Sequence, residues 1–500
     1  MKSRIFLLTI LLVTNSEAID LGSLDTSFNY FGSSVGYEHL PLEGDWGASV
    51  FVDDLQRVYV LGQNLTSDRV HLYRFLSDGT LDSTNFAPTS PTPGILEFQT
   101  KMVNSSNGNG DLKGKVKIEK GNNGAVFIGY TSETCSQSSC NKEVFLSHIS
   151  ESGQVYDEFM FGFDIDPFYP NDFFVDMKYF GASQKLAVTS NVSIDLTNGN
   201  DFDFGIALLN VNPSTGEMSL DSGFSTDGLD TCSFNQANHN GLLGDEDFVE
   251  VLDYDSLSNH LIIGGSAFEG NGLNSDGWNL AFCEYDFSGT LIRQWSTEPL
   301  PDFFVDVELL KDMFYRLEGT IDQGNLSSNL YISGMVVGSG GYDFALTKYK
   351  LSESGWQIDT TFGANGNGWT TTSFNVPSFG ATDDRVSKML RESEDGSITV
   401  AGYASWLDGG NPFGIKREAV ILAKYTPNGL LNFNWGQNKS GFFIHQFNPI
   451  YGEGVFSLAI DSVTESLYTV GKSQNFTDFS TRITLAKYHN DLIFASRFED

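Results

Sequence analysis

The stretch Gly341–Gly368, GYDFALTKYKLSESGWQIDTTFGANGNG, contains two short motifs, FALTKY and IDTTF, whose relatives return along the whole chain. Relatives of IDTTF (Ile358) stand at Leu24 (LDTSF), Leu81 (LDSTNF), Val155 (VYDEF), Leu220 (LDSGF), Leu291 (LIRQW) and Leu431 (LNFNW), 57 to 74 residues apart. Relatives of FALTKY include VHLYRF, VFLSHI, FGIALLNV, NLAFCEY, VILAKY and ITLAKY. Between them run apolar segments such as RVYVLG, AVFIGY, HLIIGG, NLYISG and SLYTVG, and a segment that opens on an acid and reaches an apolar residue five positions later. Self-similarity at a fixed period is read before local structure, because it sets the architecture.

The repeated segments are short, rich in β-branched and aromatic residues, and bounded by Gly, Asn, Asp and Ser, which marks them as strands. A fourth strand is expected after each LDxxF-type motif, for example WTTTSF at 369–374. No segment shows a sustained helical period. Seven units of four strands predict an all-β fold: a single seven-bladed β-propeller with four-stranded blades. One four-stranded sheet cannot bury both its faces, whereas sheets stacked about an axis can, and 41 phenylalanines supply flat surface for that packing. A solenoid is the alternative, but its repeats are shorter, about 20–45 residues. The chain begins on LDTSF and ends on ITLAKYHNDLIF. Residues 28–42 are therefore expected to pair with 483–488, so that the N-terminal strand closes the ring.

The IDTTF motif reads as a turn. A preceding Gly supplies the positive φ of a tight reversal. Asp359 and its equivalents Asp25, Asp82 and Asp221 can accept backbone N–H groups two residues on, and the Phe turns inward to pack. This is punctuation and not a catalytic motif.

IDTTFGANGNGW, DGSITVAGY and DFALTKY resemble the delta-60 repeat, a bacterial propeller-type repeat of the form LDxSFGxxG…DGKIxVxG…DFALxRY. The resemblance covers residues 24–494. It implies a secreted or surface location and no defined activity.

The opening MKSRIFLLTILLVTNSEA reads as a signal peptide, with Lys2 and Arg4 before a nine-residue apolar stretch, Ile5–Val13, and cleavage after Ala18. That run is shorter than the roughly 20 apolar residues that span a bilayer. The expected organisation is a signal peptide at 1–18, the propeller at 19–494 and a short tail at 495–500. The net charge of −35 opposes binding to nucleic acid, whose affinity comes largely from neutralised phosphates, and opposes docking on anionic lipid. Among four cysteines, Cys135 and Cys140 are expected to form a disulfide at a loop tip in an oxidising compartment. The spacing leaves open whether Cys232 and Cys283 pair.

Chemistry is sparse. The seven histidines form no H-E-x-x-H, and no G-x-S-x-G elbow or phosphate-cradling loop is present. Strand polarity places the second-to-third and fourth-to-first connections on one face of the ring, where segments 87–110, 131–143, 190–203, 235–246, 266–278 and 404–419 are read as long loops. Such loops on a rigid scaffold commonly hold a binding site. The acids that open the first strands, Asp45, Asp111, Asp172, Asp247, Asp302, Asp384 and Glu453, would form an axial carboxylate ring, each followed five residues on by Val50, Val116, Met177, Leu252, Val307, Met389 or Leu458. Calcium is the cofactor such oxygen ligands would suit. The preferred reading is scaffolding, each acid holding backbone N–H groups, with no metal or other cofactor required. Trp278 and Trp406 are the loop-face aromatics that could stack on a sugar. The sequence thus points to an exported, monomeric, non-catalytic scaffold that binds a glycan or a surface protein. A propeller enzyme acting on carbohydrate, a hydrolase or lyase with an acidic or metal-assisted axial site, is the alternative.

Overall fold

The computed structural model describes residues 23–29, 36–40, 45–64, 69–99, 115–135, 140–163, 171–194, 202–234, 247–256, 258–268, 278–296, 309–318, 327–338, 341–352, 355–374, 382–391, 396–407, 416–446, 451–475 and 481–489. They form seven antiparallel sheets of at least four strands each. The first strands of successive blades are Asp45–Val52, Lys117–Lys120, Asp172–Phe180, Asp247–Asp255, Leu309–Glu318, Asp383–Arg391 and Tyr451–Ile460. Each touches its neighbour in ring order, and the seventh packs on the first. The molecule is a seven-bladed β-propeller.

Closure is made by the N-terminal segment. Tyr37–His39 pairs antiparallel with the third strand of the seventh blade, Thr481–Tyr488, through Tyr37↔Ala486, Glu38↔Leu485 and His39↔Thr484. Leu24 bridges Tyr488 below it. The blade thus takes its outer strand from the opposite end of the chain, as the phase of the repeat predicts.

Among the described residues the core consists of seven large apolar clusters, one at each junction between neighbouring blades, and a small eighth, Phe173, Phe202 and Phe248, between blades three and four. The junction of blades four and five, for example, joins Ile262 and Phe282 to Leu330 and Ile332. Each fully buried side chain of this size contributes about 1.5–3 kcal/mol. The alternating strand pattern places one set of side chains into each flanking junction, so both faces of every sheet are buried.

The LDxxF turn recurs with one geometry in five blades. The backbone N–H of Asp25, Asp82, Asp221, Asp359 and Asn432 donates at 2.8 Å to the third-strand carbonyls of Lys487, Arg74, Leu208, Lys348 and Lys424. Side-chain oxygens of Asp25, Asp221, Asp359 and Asn432 accept the N–H two residues on; Asp82 accepts that of Asn85, three residues on. The aromatic residue that follows, Phe28, Phe86, Phe224, Phe362 or Trp435, is buried. The outer strand is accordingly short, or split, as in blade five into Gly355–Ile358 and Trp369–Thr372 on either side of the turn. Two copies depart from the expectation. VYDEF and LIRQW lack the Asp at the second position, make no such turn, and lie inside continuous outer strands, Val155–Phe161 and Leu291–Ser296.

The turn also latches blades together. The residue after the aromatic donates its N–H to the next blade's third-to-fourth turn: Asn29 to Asp78, Ala87 to Ser152, Ser225 to Ser288 and Gly363 to Asn428, at 2.7–2.9 Å. All four donors have positive φ. At the acceptor turn, Gly289 (φ +82°) is so close that an added Cβ would lie 2.1 Å from the Ser225 nitrogen. Gly289→Ala therefore combines backbone strain with a clash against main chain, and is expected to cost about 2–4 kcal/mol. Urea denaturation checks this; an unchanged midpoint would reject the latch as a stability element.

Cys232 and Cys283 form a disulfide that joins the outer edge of blade three to the third strand of blade four. Closing a loop of this sequence separation, 51 residues, restricts the unfolded chain by about 4 kcal/mol on the chain-entropy view. Cys135 and Cys140 stand directly opposite each other across the hairpin of blade two; their side chains, and residues 1–22 and 490–500, lie outside the described residues.

Candidate functional site: the axial end of the ring

Asp172 and Asp247 open first strands, Asp384 is the second residue of its own, and all three are buried. In each, one carboxylate oxygen accepts a backbone N–H from the linker that leaves the preceding blade: Phe163 at 2.6 Å, Phe234 at 2.7 Å and Phe374 at 2.7 Å. The donors stand two residues beyond outer strands ending at Phe161, Cys232 and Thr372, so the acid anchors each blade-to-blade crossing. The side chains of Asp45 and Glu453 lie outside the described residues.

The remaining two acids, Asp111 and Asp302, lie outside the described residues. The first strand of blade two pairs Ile118 with Ile128, and that of blade five pairs Met313 with Ile332, as Val50 pairs with Val60 and Met177 with Val188. The equivalent apolar positions are thus Ile118 and Met313 instead of Val116 and Val307. Five residues before them in the sequence stand Lys113 and Glu308. Both also lie outside the described residues. DFFVDV misled because it copies DFFVDM of blade three almost letter for letter; strand pairing decides register, and pairing is long-range.

Burial, with Asp343 and Asp383 adding repulsion, pushes the Asp384 carboxyl up to about 6. A carboxyl raised above its ordinary 3.8 favours folding when protonated. That contribution is complete below about pH 3.8 and lost as pH rises through 6. Asp384→Asn keeps an acceptor for the Phe374 N–H and carries no charge, so the variant should gain stability over the parent as pH rises from 4 to 7. Paired urea titrations at the two pH values check this, and a pH-independent difference would count against it.

The axis itself carries opposite charges in contact. Lys117 pairs with Asp176, Lys178 with Asp253, and Lys115 with Glu250, each ion pair joining different blades. Lys115 spans from blade two to blade four, and its ammonium also donates to the Glu250 carbonyl at 2.7 Å. Although burial opposes its charge, the field of Lys117, then Lys388 from blade six, holds the Asp176 carboxyl below the usual range. These three ion pairs tie blades two, three and four together along their first strands. Among the described residues no group of three or more His, Cys, Asp or Glu is placed to hold a metal ion.

A β-bulge interrupts every described first strand except that of blade two, between Gly47 and Ser49, Phe174 and Asp176, Val249 and Val251, Leu310 and Asp312, Val386 and Lys388, and Val455 and Ser457. Bulges re-aim the side chains beside them. The side chains just after three of them, Ser49, Asp176 and Ser457, accept N–H groups of Ile118, Leu252 and Val50 in the next blade. Neither the axial lysines nor the bulges were read from the sequence. The alternating KGKVKIEK at 113–120 carried a signal for the lysines, since alternate residues of a strand share one face and turn towards the same neighbouring blade.

The loop-bearing face is less looped than expected. Thr131–Cys135, Cys140–Glu143, Ala404–Leu407 and Lys416–Ala419 continue strands, and Ser266–Phe268 and Trp278 do likewise. Residues 87–94 sit at the opposite face, beside the latch of Ala87 on Ser152. Segments 195–201, 235–246, 269–277 and 408–415 lie outside the described residues. Trp406 lies within a second strand at 4 % exposure and presents no ring to a ligand, which corrects its reading as a loop aromatic. The Trp278 side chain is outside the described residues.

No family model matches the chain, and no curated protein matches it. Among solved structures, Drosophila Semaphorin 2a is similar at a TM-score of 0.46 and 10 % identity, over 92 % of this chain and 76 % of that one. Catalytically inactive virginiamycin B lyase from Staphylococcus aureus gives 0.40 and 10 %, over 90 % and 98 %. A Trypanosoma rangeli sialidase gives 0.39 and 9 %, over 79 % of this chain and 56 % of that chain. At these identities the likeness concerns fold alone, which the strand pairings establish independently. Among the described residues no helix is long and apolar enough to cross a membrane.

Proposed function

We propose that this protein is an exported, non-catalytic propeller of the delta-60 repeat type that binds a glycan or another surface protein through its loop-bearing face. The observation that carries the reading is the sameness of the acids across blades. Asp172, Asp247 and Asp384 make one and the same backbone bond. An acid-base pair at work needs two groups in contrasting environments, concentrated in one or two blades. The axial acids Asp176, Glu250 and Asp253 are each engaged by a lysine. Variation between blades lies in the connections instead, where binding surfaces on repeat scaffolds are built.

Export is supported by the Cys232–Cys283 disulfide, a bond that persists in oxidising compartments, together with the signal-peptide pattern of residues 1–18. A glycan array on the mature protein, followed by turnover assays on each ligand retained, tests the proposal. Binding without product is the expected result. Release of shortened or unsaturated sugar would replace it with the hydrolase or lyase reading. Titration calorimetry with calcium and melting in chelator test the cation idea separately.

A further inference from the structure

Five blades protect their outer edges by breaking them. The outer strands at Ile95–Gln99, Met218–Leu220, Leu229–Cys232, Gly355–Ile358, Trp369–Thr372, Phe442–His445 and Tyr37–His39 are three to five residues long, and each adjoins a buried turn. Short, interrupted edges cannot template another strand. Blade two, having lost the turn, keeps a continuous outer strand of seven residues, Val155–Phe161, hydrogen-bonded to Cys140–Ile149 and at the end of its sheet. On it Val155, Tyr156 and Met160 are 37 %, 49 % and 43 % exposed.

Beside this edge lies a groove of about 640 Å³, lined by Asp157 and Phe159 on one bank and by Asn210, Pro213, Glu217 and Met218 of blade three on the other. Its banks are tied: Asp157 accepts the Met218 N–H at 2.7 Å. Tyr156 is held edge-on, 5.2 Å from the buried His148 ring, which stacks 4.2 Å from Phe127 and is fixed by the Gly216 carbonyl at 2.9 Å. A long edge, apolar side chains standing along it and a groove at its flank are the parts of a strand-addition site.

We propose that the outer edge of blade two binds an extended, basic and apolar segment of a partner protein by strand addition. Charge selects the occupant. Asp157, Glu158 and Glu217 border the site on a chain of net charge −35, so alternating lysines or arginines on the incoming strand would meet carboxylates. A second copy of this chain would bring Asp157 and Glu158 against their own kind, which disfavours self-pairing. This surface is distinct from the loop-bearing face, so the inference stands whether or not that face binds a glycan.

The probe is an eight-residue peptide alternating lysine and valine, compared with the same peptide carrying proline at its two central valines. Titrated by fluorescence anisotropy against the mature protein at low salt, the first should bind at micromolar concentration and the second at least tenfold more weakly. Amide exchange should slow across 155–161 on binding. Met160→Lys and Glu158→Lys should each weaken binding tenfold or more, whereas Ile292→Lys, on the continuous outer strand of blade four, should not change it. Glu158 is exposed, so its substitution decides the matter even where Met160→Lys disturbs folding. No binding up to millimolar peptide, equal loss from Ile292→Lys, or no loss from Glu158→Lys would overturn the proposal. A dimer in sedimentation that Met160→Lys and Glu158→Lys dissolve would overturn it in favour of a second copy.

Discussion

Removal of residues up to 44 should abolish the single cooperative unfolding transition, or lower its midpoint by roughly 10 °C or more. Three losses coincide. Phe28 and Leu40 are fully buried in the junction of blades seven and one, and each is worth about 2–3 kcal/mol. Asp25 leaves Lys487, its partner at 3.0 Å, almost buried and without a carboxylate. The strand Thr481–Tyr488 becomes an unpaired edge, which invites aggregation. The ring also loses the hydrogen bond from Asn29 to Asp78 that latches blade seven onto blade one. Scanning calorimetry and light scattering on the trimmed and mature proteins provide the test. A trimmed protein that melts cooperatively at the parent temperature would show that the N-terminal segment is dispensable. Supplying residues 23–40 as a peptide should restore part of the loss.

Asp82→Ala should cost about 3–5 kcal/mol, more than truncation at an exposed ion pair, because it strands a cation. The Arg74 side chain is fully buried, with its guanidinium 2.7 Å from Asp82, 3.3 Å from the Tyr59 hydroxyl and 4.7 Å from the Phe86 ring centroid. Burial opposes ionisation of Asp82, yet the Asn85 N–H and Arg74 together hold its carboxyl below the usual range. The sign is the reverse of that at Asp384: a depressed carboxyl stabilises above its ordinary value, and the contribution is lost as pH falls towards its native one. Replacing both partners, Arg74→Met with Asp82→Leu, removes charge and counter-charge together. The double variant should recover most of the single loss and show a shallower acid limb. Guanidinium denaturation of the four proteins closes the cycle. If Asp82→Ala costs under about 1 kcal/mol, the pair behaves as an exposed one and the buried-cation argument fails.

The same pair explains why two motifs far apart in sequence recur together. In three blades the basic residue of the KY or YRF third strand meets the Asp of the adjoining turn: Lys487 meets Asp25, Lys348 meets Asp359 and Arg74 meets Asp82. A second-strand tyrosine lies under each cation: Tyr468, Tyr331 and Tyr59. In blade three, where FGIALLNV lacks the base, Lys185 of the second strand takes its place on Asp221. Asp359 is drawn down to about 2 in spite of burial, chiefly by Lys350. The turn was legible as a turn from IDTTF alone, because its geometry depends on neighbours two or three residues away. The cation under it was not, because the pairing is made across strands.

The candidate site divides the same way. Asp172, Asp247 and Asp384 were legible as positions, since in these three repeats an acid stands five residues before the apolar residue of the first strand. Their partners, the N–H groups of Phe163, Phe234 and Phe374, became visible only once the preceding blade was placed beside them. Val116 and Val307 show the limit of letter matching, since pairing puts Ile118 and Met313 at the equivalent apolar positions. Trp406 shows another: its neighbourhood reads as a loop, yet the strand runs to Leu407 and buries the ring.

Blade number, strand order, closure by the N-terminus and the reversal at each LDxxF motif were all determined by the chain's own repetition, because periodic polarity and turn chemistry act over a few residues and recur. What the tertiary structure alone decided was pairing: which register the first strands take, which lysine meets which acid between blades, that Cys232 reaches Cys283, and which outer strands run unbroken. Those outcomes depend on distances between residues of different blades, and a distance across a closed ring is set by packing of all seven sheets together.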